Sequence, residues 1–319
     1  MGQVTEADLR KSDSTGWIPI NVSDISGFSM PTLPVDPQNT LNDNLYYTFY
    51  CNPQQEYILT SYMESKTFGP KGGQDSKTIG DGGPDPYVYE VGNNLFISPL
   101  KPVGSWSFDE GTGNIANDSS GNDNNGILYN GPTWVTEGQV NKALSFDGSN
   151  DYVKINNNLN LSNTDKITVS VWIKIATNQL TKVFLEHSVD FNSYNAFFMD
   201  YNELGGIGSL EFGDHTSQGK NVVYTTTGYN DGKWHYFVAV SDRSKDGLNQ
   251  IKLYVDGVEN TIHYSPYITD LTGNYGTYPL YLGSRGGTTY FHQGFLDEVR
   301  IYNRALSAEE IKRHYEMSK

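Results

Sequence analysis

Apolar and polar residues alternate along much of this chain. In ITVSVWIKIA, Val169, Val171, Ile173 and Ile175 share one face of a strand and Trp172 falls out of register with them. A tryptophan so placed reads first as a core residue. The stretches KWHYFVAVSD, IKLYVDGVENT, YPLYLGS and GFLDEVRIY continue the two-residue period, separated by Gly, Asn and Asp turns. Asp256-Gly257, between KLYV and VENT, is a two-residue hairpin signal. ALSFDGSNDYVKI reads as two strands around Asp147-Gly148. Many short strands with turns between them predict a two-sheet β-sandwich.

One helix is predicted, at the end of this pattern. Ser307 is a good N-cap, Glu310 stands three residues on and completes a capping box, and Leu306 and Ile311 occupy the positions of a hydrophobic staple. Such a helix is expected to pack against an edge of the sandwich. Just before it, FLDEVRIY poses a question. Strict alternation puts Phe295, Asp297, Val299 and Ile301 on one face, and Leu296, Glu298, Arg300 and Tyr302 on the other. Asp297 then lies among apolar residues, where a carboxylate must be paired, protonated or bound to metal. Glu298 points the opposite way, so the two cannot work as an acid–base pair. It reads as a solvated partner for nearby basic residues.

The pattern breaks at SPLKPVG, Ser98 to Gly104, where two prolines and a glycine interrupt the strands. This divides the chain into residues 1–100 and 101–319. In the first part, DNLYYTFYCNPQQEYILTSYMES reads as a hairpin around NPQQ, and YVYEVGNNLFI supplies a last strand.

Composition narrows the chemistry. The net charge of −15 argues against nucleic acid or an anionic membrane surface as partner. No apolar run is long enough to span a bilayer, so no membrane contact is expected of this chain. One cysteine, Cys51, rules out a disulfide within the chain and a cysteine-based zinc site. With 23 tyrosines and only 18% charged residues, the composition suits a mainly β, secreted or cell-surface protein, of bacterial type. Catalytic patterns fail. After residue 100 there is no Glu-x-Asp, no G-x-S-x-G occurs, and GPKGGQDSK misses the spacing of a phosphate loop. DSSGNDNNG, Asp118 to Gly126, only superficially resembles an EF-hand loop: setting Gly126 at the sixth position puts Gly121 where the first Asp belongs. It reads instead as a turn network in which Asp118 and the asparagines bond nearby amides.

SWSFDEGTG, ALSFDGSNDYVKI, ITVSVWIKI, GKWHYFVAVSD, IKLYVDGV, YLGSR and GFLDEVRIYNRALSAEEI follow one another over residues 104 to 315. In order and spacing they resemble a laminin G-like domain of the concanavalin A-like lectin/glucanase fold. The resemblance implies an antiparallel jelly-roll sandwich, a binding module often directed at glycans, and often a structural Ca²⁺. The positions it implies for the metal are Asp297 on the late strand and an acid of FDEG, where Asp109 is favoured over Glu110. The other reading of Asp297 is a buried hydrogen-bond pin. Ligand candidates lie in stretches read as loops, which carry function on such scaffolds. EHSVDFNSYNAFFMDYNE offers His187, Asp190, Asn192, Tyr194 and Tyr201. GSRGGTTYFHQG offers Arg285 and Tyr290, with His292. Aromatic faces and planar hydrogen-bonding groups are what sugar recognition uses.

In the first part STGWIPINVSDIS, LPVDPQN, LYYTFYC and EYILTSYMES are similar to the C-terminal sheet region of bacterial type IV pilin-like and pseudopilin proteins. In that family a long hydrophobic helix precedes this region; here only VTEADLR does. Together the readings give a non-catalytic, surface-displayed adhesion protein. Its expected partners are a polysaccharide or glycoprotein and other pilin-like subunits. The alternatives are a structural filament subunit with a decorative sandwich, and a glycan-active enzyme.

Overall fold

The computed structural model describes residues 101–156, 159–175, 181–190, 193–201, 204–226, 228–264 and 268–319, and the backbone of three strands upstream. The chain divides into two units, Met1–Lys101 and Pro102–Lys319. In the first, β1 (Thr48–Cys51), β2 (Tyr57–Tyr62) and β3 (Val88–Gly92) form an antiparallel sheet in that order. Strands β1 and β2 fall within LYYTFYC and EYILTSYMES, and the NPQQ turn, STGWIPINVSDIS and LPVDPQN lie outside the described residues.

The strands of the second unit, in chain order, are β4 (Gly104–Trp106), β5 (Ile115–Ala116), β6 (Gly126–Tyr129), β7 (Thr133–Val135), β8 (Ala143–Asp147), β9 (Tyr152–Ile155), β10 (Lys166–Ile175), β11 (Lys182–His187), β12 (Ala196–Tyr201), β13 (Leu210–Thr216), β14 (Gly219–Thr225), β15 (Trp234–Asp242), β16 (Ile251–Val255), β17 (Val258–Glu259), β18 (Ile262–Tyr264), β19 (Leu280–Leu282) and β20 (Gln293–Tyr302). Helix α1 (Ala308–Ser318) follows them. They build the expected antiparallel sandwich. One sheet has eight strands, ordered β17-β16-β15-β10-β20-β8-β7 with β4 beside β20. The other has nine, ordered β18-β14-β13-β12-β11-β19-β9-β6-β5. Among the described residues no helix is long and apolar enough to cross a membrane.

The local signals explain the connections. Asp256 (φ 53°) and Gly257 (φ 78°) are both left-handed, as a two-residue hairpin turn requires, and join β16 to β17 with Val255 opposite Val258. Asp147-Gly148 does something else: β8 belongs to the eight-stranded sheet and β9 to the nine-stranded one, so this turn carries the chain across the sandwich.

The core lies between the sheets. Val169, Val171, Ile173 and Ile175 of β10 join Phe237, Ala239 and Leu253 on one side and Phe197, Met199, Phe212, Val223 and Leu282 on the other. Full burial of each such side chain is worth about 1.5–3 kcal/mol. A polar pin crosses the same core. Asp214 of β13 accepts hydrogen bonds from Ser241 Oγ (2.7 Å), Arg243 Nε (3.1 Å) and Tyr275 Oη (3.0 Å), and the Arg243 guanidinium lies 3.7 Å over the Tyr275 ring.

Strand β20 departs from strict alternation. Trp172 pairs with Asp297 and Ser170 with Arg300, so Glu298 and Val299 together oppose the single Val171. This is a β-bulge, with Glu298 left-handed at φ 51°. It rephases the strand. Leu296, Val299 and Ile301 enter the core between the sheets, while Tyr302 joins a second apolar cluster on the outer face. Asp297, opposite Trp172, lies on that outer face and not among Val299 and Ile301. Glu298 is not solvated either: it is buried and ion-paired with Arg300.

That outer face is closed by α1. Both halves of the capping box form, Glu310 N to Ser307 Oγ at 3.2 Å and Ser307 N to Glu310 Oε2 at 2.8 Å. Leu306 and Ile311 pack with Trp172, Tyr236, Tyr254 and Tyr302. Trp172 is buried there, its Nε1 donating to Ser318 Oγ at 2.9 Å.

Candidate functional site

The outer face of the nine-stranded sheet carries a different set of groups. Register places Lys154, Tyr281, Glu186, Phe198 and Gly213 opposite one another across β9, β19, β11, β12 and β13, and sets Asp200 opposite Glu211 one step along. Their chain neighbours Leu185, Phe197, Met199, Phe212 and Leu282 point into the core. Phe198 lies across Gly213, where a Cβ would meet the ring at 2.1 Å, so only glycine gives the ring this seat.

Arg285 enters over this row from the turn after β19. Gly286 (φ 60°) and Gly287 (φ 74°) make the turn, and the Arg285 and Thr289 backbones close it with a 2.9 Å bond from Arg285 N. The guanidinium carbon stands 4.6 Å from the Tyr290 ring and 5.5 Å from the Phe198 ring. Its Nε is 3.6 Å from Glu186 Oε1 and its Nη2 3.8 Å from Asp200 Oδ2. Both carboxylates are buried. Burial pushes the Glu186 carboxyl above its ordinary range, and the Arg285 charge opposes that shift. Arg285 and Tyr290 also line a cleft of about 420 Å³ with Val189, Asp190, Thr288 and Thr289. A cationic plane held among aromatic rings and carboxylates is suited to orienting a hydroxylated ligand.

Of the predicted ligand residues, Asp190, Arg285 and Tyr290 come together in this cleft. Tyr194 is 54% exposed but stands apart from the cleft lining, edge-on to His215 at 5.1 Å. Asn192 lies outside the described residues. His187 and Tyr201 are corrections: the stretch read as a loop contains the end of β11 and all of β12. Leu185 and His187 share the inward phase, as do Phe197, Met199 and Tyr201, and both predicted ligands are fully buried. His187 stacks on Phe197 at 4.9 Å, and burial holds its pKa down to about 3. Tyr201 packs against Phe184 and His292, which is itself buried. Sequence reasoning missed Glu186, Phe198 and Asp200. The alternation within AFFMDY separates Phe198 and Asp200 from the inward set, but their meeting with Arg285 depends on sheet register.

Asp297 is fully buried. Its Oδ2 accepts the Val140 N–H at 2.9 Å, the Gln139 N–H lies near, and Oδ1 makes no hydrogen bond of normal geometry. Burial first, then the negative charges of Glu298 and Asp109, push its carboxyl well above the carboxylate range. Asp109 accepts from Lys142 N (3.0 Å) and Asn141 Nδ2 (3.1 Å) in the same loop, whereas Glu110 turns to Asn117 N (2.6 Å). No group of three or more His, Cys, Asp or Glu side chains placed to hold a metal occurs among the described residues. Asp118 forms the expected turn network, accepting from the backbone of Ser105, Ser120 and Asn124.

Two antiparallel sheets packed face to face, one outer face closed by α1 and the other carrying charged and aromatic side chains, form a concanavalin A-like sandwich. Residues 147–312 match the laminin G-like family model of the Concanavalin A-like lectin/glucanases superfamily, and the chain belongs to that family. No curated protein matches the chain in sequence. Among solved structures, domain 4 of AbnA, a GH43 extracellular arabinanase from Geobacillus stearothermophilus in complex with arabinotriose, is similar at TM-score 0.50 and 19% identity, over 69% of this chain and 98% of that one. The binding domain of Paraclostridial Mosquitocidal Protein 1 is similar at TM-score 0.53 and 20% identity, over 68% and 52%. The binding domain of botulinum neurotoxin DC, in complex with rat synaptotagmin II, gives 0.52 and 14%, over 69% and 52%. The chain thus spans about half of each toxin domain, and identities this low carry the likeness of fold alone.

Proposed function

We propose that the second unit is a non-catalytic, extracellular or cell-surface binding module for a polysaccharide or glycoprotein glycan, with its site in the Arg285 cleft. One observation carries this reading: Arg285 is held between the Phe198 and Tyr290 rings beside Glu186 and Asp200, at the floor of an open cleft. The arabinotriose held by the arabinanase domain of the same fold supports a glycan over other ligands. A glycan array followed by titration of the hits tests it. Arg285→Ala and Tyr290→Ala are expected to abolish or weaken binding at least tenfold, and intact binding in both variants removes the cleft. The Glu186–Asp200 pair keeps a glycan-active enzyme as the second reading; sugar release from a bound glycan, lost in Glu186→Gln, would favour it. The first unit, by its pilin-like resemblance, would supply attachment to a filament, which co-assembly with pilin-like subunits tests.

A structural Ca²⁺ belongs to the same proposal. The Asp297 Oδ1 atom, buried and short of a donor beside the charge of Asp109, fits a cation, which Asp297 and Asp109 would hold with backbone carbonyls completing the oxygen shell. EDTA is expected to lower the melting temperature and Ca²⁺ to restore it. An unchanged melt with no metal by elemental analysis overturns this part.

A further inference from the structure

His235, the second residue of β15, stands between two loops. It is in phase with Phe237 and Ala239 of the core, at the end of their strand. A carboxylate meets each ring nitrogen. Nδ1 is 2.9 Å from Asp256 Oδ2, in the β16–β17 turn, and Nε2 is 3.1 Å from Asp231 Oδ1, in the loop before β15. The two acids are held differently. Asp256 Oδ1 accepts the Tyr236 N–H at 2.9 Å and the Asp256 N–H donates to Tyr236 O at 2.9 Å, so this acid is fixed to the strand. Asp231 is exposed, and its other printed partner is Lys233 of its own loop, through Lys233 N at 3.0 Å and Nζ at 3.2 Å. The same loop reaches the β12–β13 connection through Tyr229 N, which donates to Gly208 O at 2.7 Å.

One imidazole between two carboxylates is a statement about protons. A neutral ring has one N–H and one lone pair, so it can donate to one acid and must turn its lone pair on the other. Only the imidazolium donates to both. We propose that His235 is a pH-sensitive clamp: as the cation it ties the β14–β15 loop to the β16–β17 turn, and on losing its proton it keeps Asp256 and releases Asp231 with its loop. The groups facing the ring support this sign. Burial lowers the His235 pKa, but hydrogen bonds and charge from Asp256, then Asp231, outweigh it and raise the value above 6.5. Lys233 opposes them, yet its side chain is 78% exposed and screened by water. On β10, Ile173 lies opposite His235, and Lys174 takes the other face, over Phe295. The Tyr229 ring stands edge-on at 5.0 Å, and Tyr315 of α1, against Gly257 of the turn, is kept neutral by burial and the Asp256 charge. The clamp is therefore whole below pH 6.5 and is lost as pH rises through the raised value. His187, His215, His292 and His314 shift the opposite way, which separates His235 from them in a titration.

The test is an NMR titration of the full chain with ¹⁵N-labelled histidine rings, joined to hydrogen exchange of residues 228–233 at pH 5.5 and 9, corrected for the intrinsic rate. His235 should titrate above 6.5, with both ring nitrogens protonated at the lower pH. Loop protection should fall from the lower pH to the higher, while the β16–β17 hairpin stays protected at both. Asp231→Asn should lower the His235 pKa and flatten the pH dependence, and loop protection should drop about tenfold for each pKa unit lost. His235→Gln should leave the loop at its high-pH protection at both values. Thermal melts establish that each variant is folded. A His235 pKa at or below 6.5, equal loop exchange at the two pH values in the parent chain, or a pH dependence that survives in His235→Gln overturns the clamp. So does loosening of the hairpin together with the loop, since the release would then not lie at Asp231.

Discussion

The two outer faces of the sandwich are built from similar residues and end in opposite states. The eight-stranded sheet presents Trp172, Tyr236, Tyr254 and Tyr302, and α1 closes over them with Leu306, Ile311 and Tyr315. The nine-stranded sheet presents Tyr129, Tyr152, Tyr281 and Phe198 with no such helix among the described residues, and interleaves them with Glu186, Asp200, Lys154 and Arg285. Aromatic content alone therefore does not mark a site in a chain with 23 tyrosines. What separates the faces is whether the rings are satisfied by the protein itself. On the covered face even the Trp172 N–H has its partner in Ser318. On the other face the rings lie beside charges, and Tyr129 and Tyr152 stay half-exposed while Phe198 and Tyr281 are buried.

Substitutions should cost stability on the sealed side and binding on the open side. Acid should give the largest effect. His187 and His292 are buried and held neutral with pKa of about 3, and His314, on the inner face of α1, is lowered by burial and by Arg300, Arg304 and Arg313. The unfolded chain takes up these protons near pH 6.5, so this contribution is whole above that pH and is lost as pH falls toward 3. At pH 5, His187 and His292 together cost about 4 kcal/mol. Asp297 and Glu186, whose carboxyls burial raises, shift stability the opposite way over the same range, so the histidine part is read by difference. Urea unfolding at pH 7 and 5 should show a smaller loss in His187→Gln and His292→Gln than in the parent chain, and an equal loss in all three would mean that these histidines reach water. Next, Trp172→Ala should lower stability by about 3–5 kcal/mol in the same assay without changing glycan affinity per folded molecule. Ser307→Ala, which removes the α1 cap, should cost about 1 kcal/mol and raise hydrogen exchange in the helix ahead of the sheets. Tyr129→Ala, on the opposite face, should cost the least stability, on the order of 1 kcal/mol or below, because its ring is half-exposed. A large stability loss there would make the Tyr129–Tyr152 pair as structural as Trp172 and erase the contrast.

The sandwich, its core stripe on β10, the Asp256-Gly257 turn and the α1 capping box were legible in the chain, because each depends on residues within a few positions of one another. The bulge at Glu298 was not. It exists only against β10, and it moved Asp297 to the other side of its strand and put Glu298 in contact with Arg300. The candidate site was half legible. Asp190, Arg285 and Tyr290, named as separate candidates in two stretches, line one cleft, but Glu186 and Asp200 reach Arg285 from about a hundred residues away through sheet register. His187 and Tyr201 were misplaced because strands were read as loops, and in a strand the two-residue phase, not polarity, decides which side chain meets solvent.

Gly213 turns these geometries into a statement about how such a surface diverges. Phe198 can lie flat only because the position opposite it has no side chain. A single added methyl, Gly213→Ala, would lift the ring from the sheet and with it the seat of Arg285, leaving strands, core and lid untouched. Gain or loss of the Arg285 seat is thus one codon step from the present sequence, at a position outside the cleft lining. Related sandwiches with glycine there and an aromatic on the neighbouring strand are the ones in which the same arginine seat should be sought.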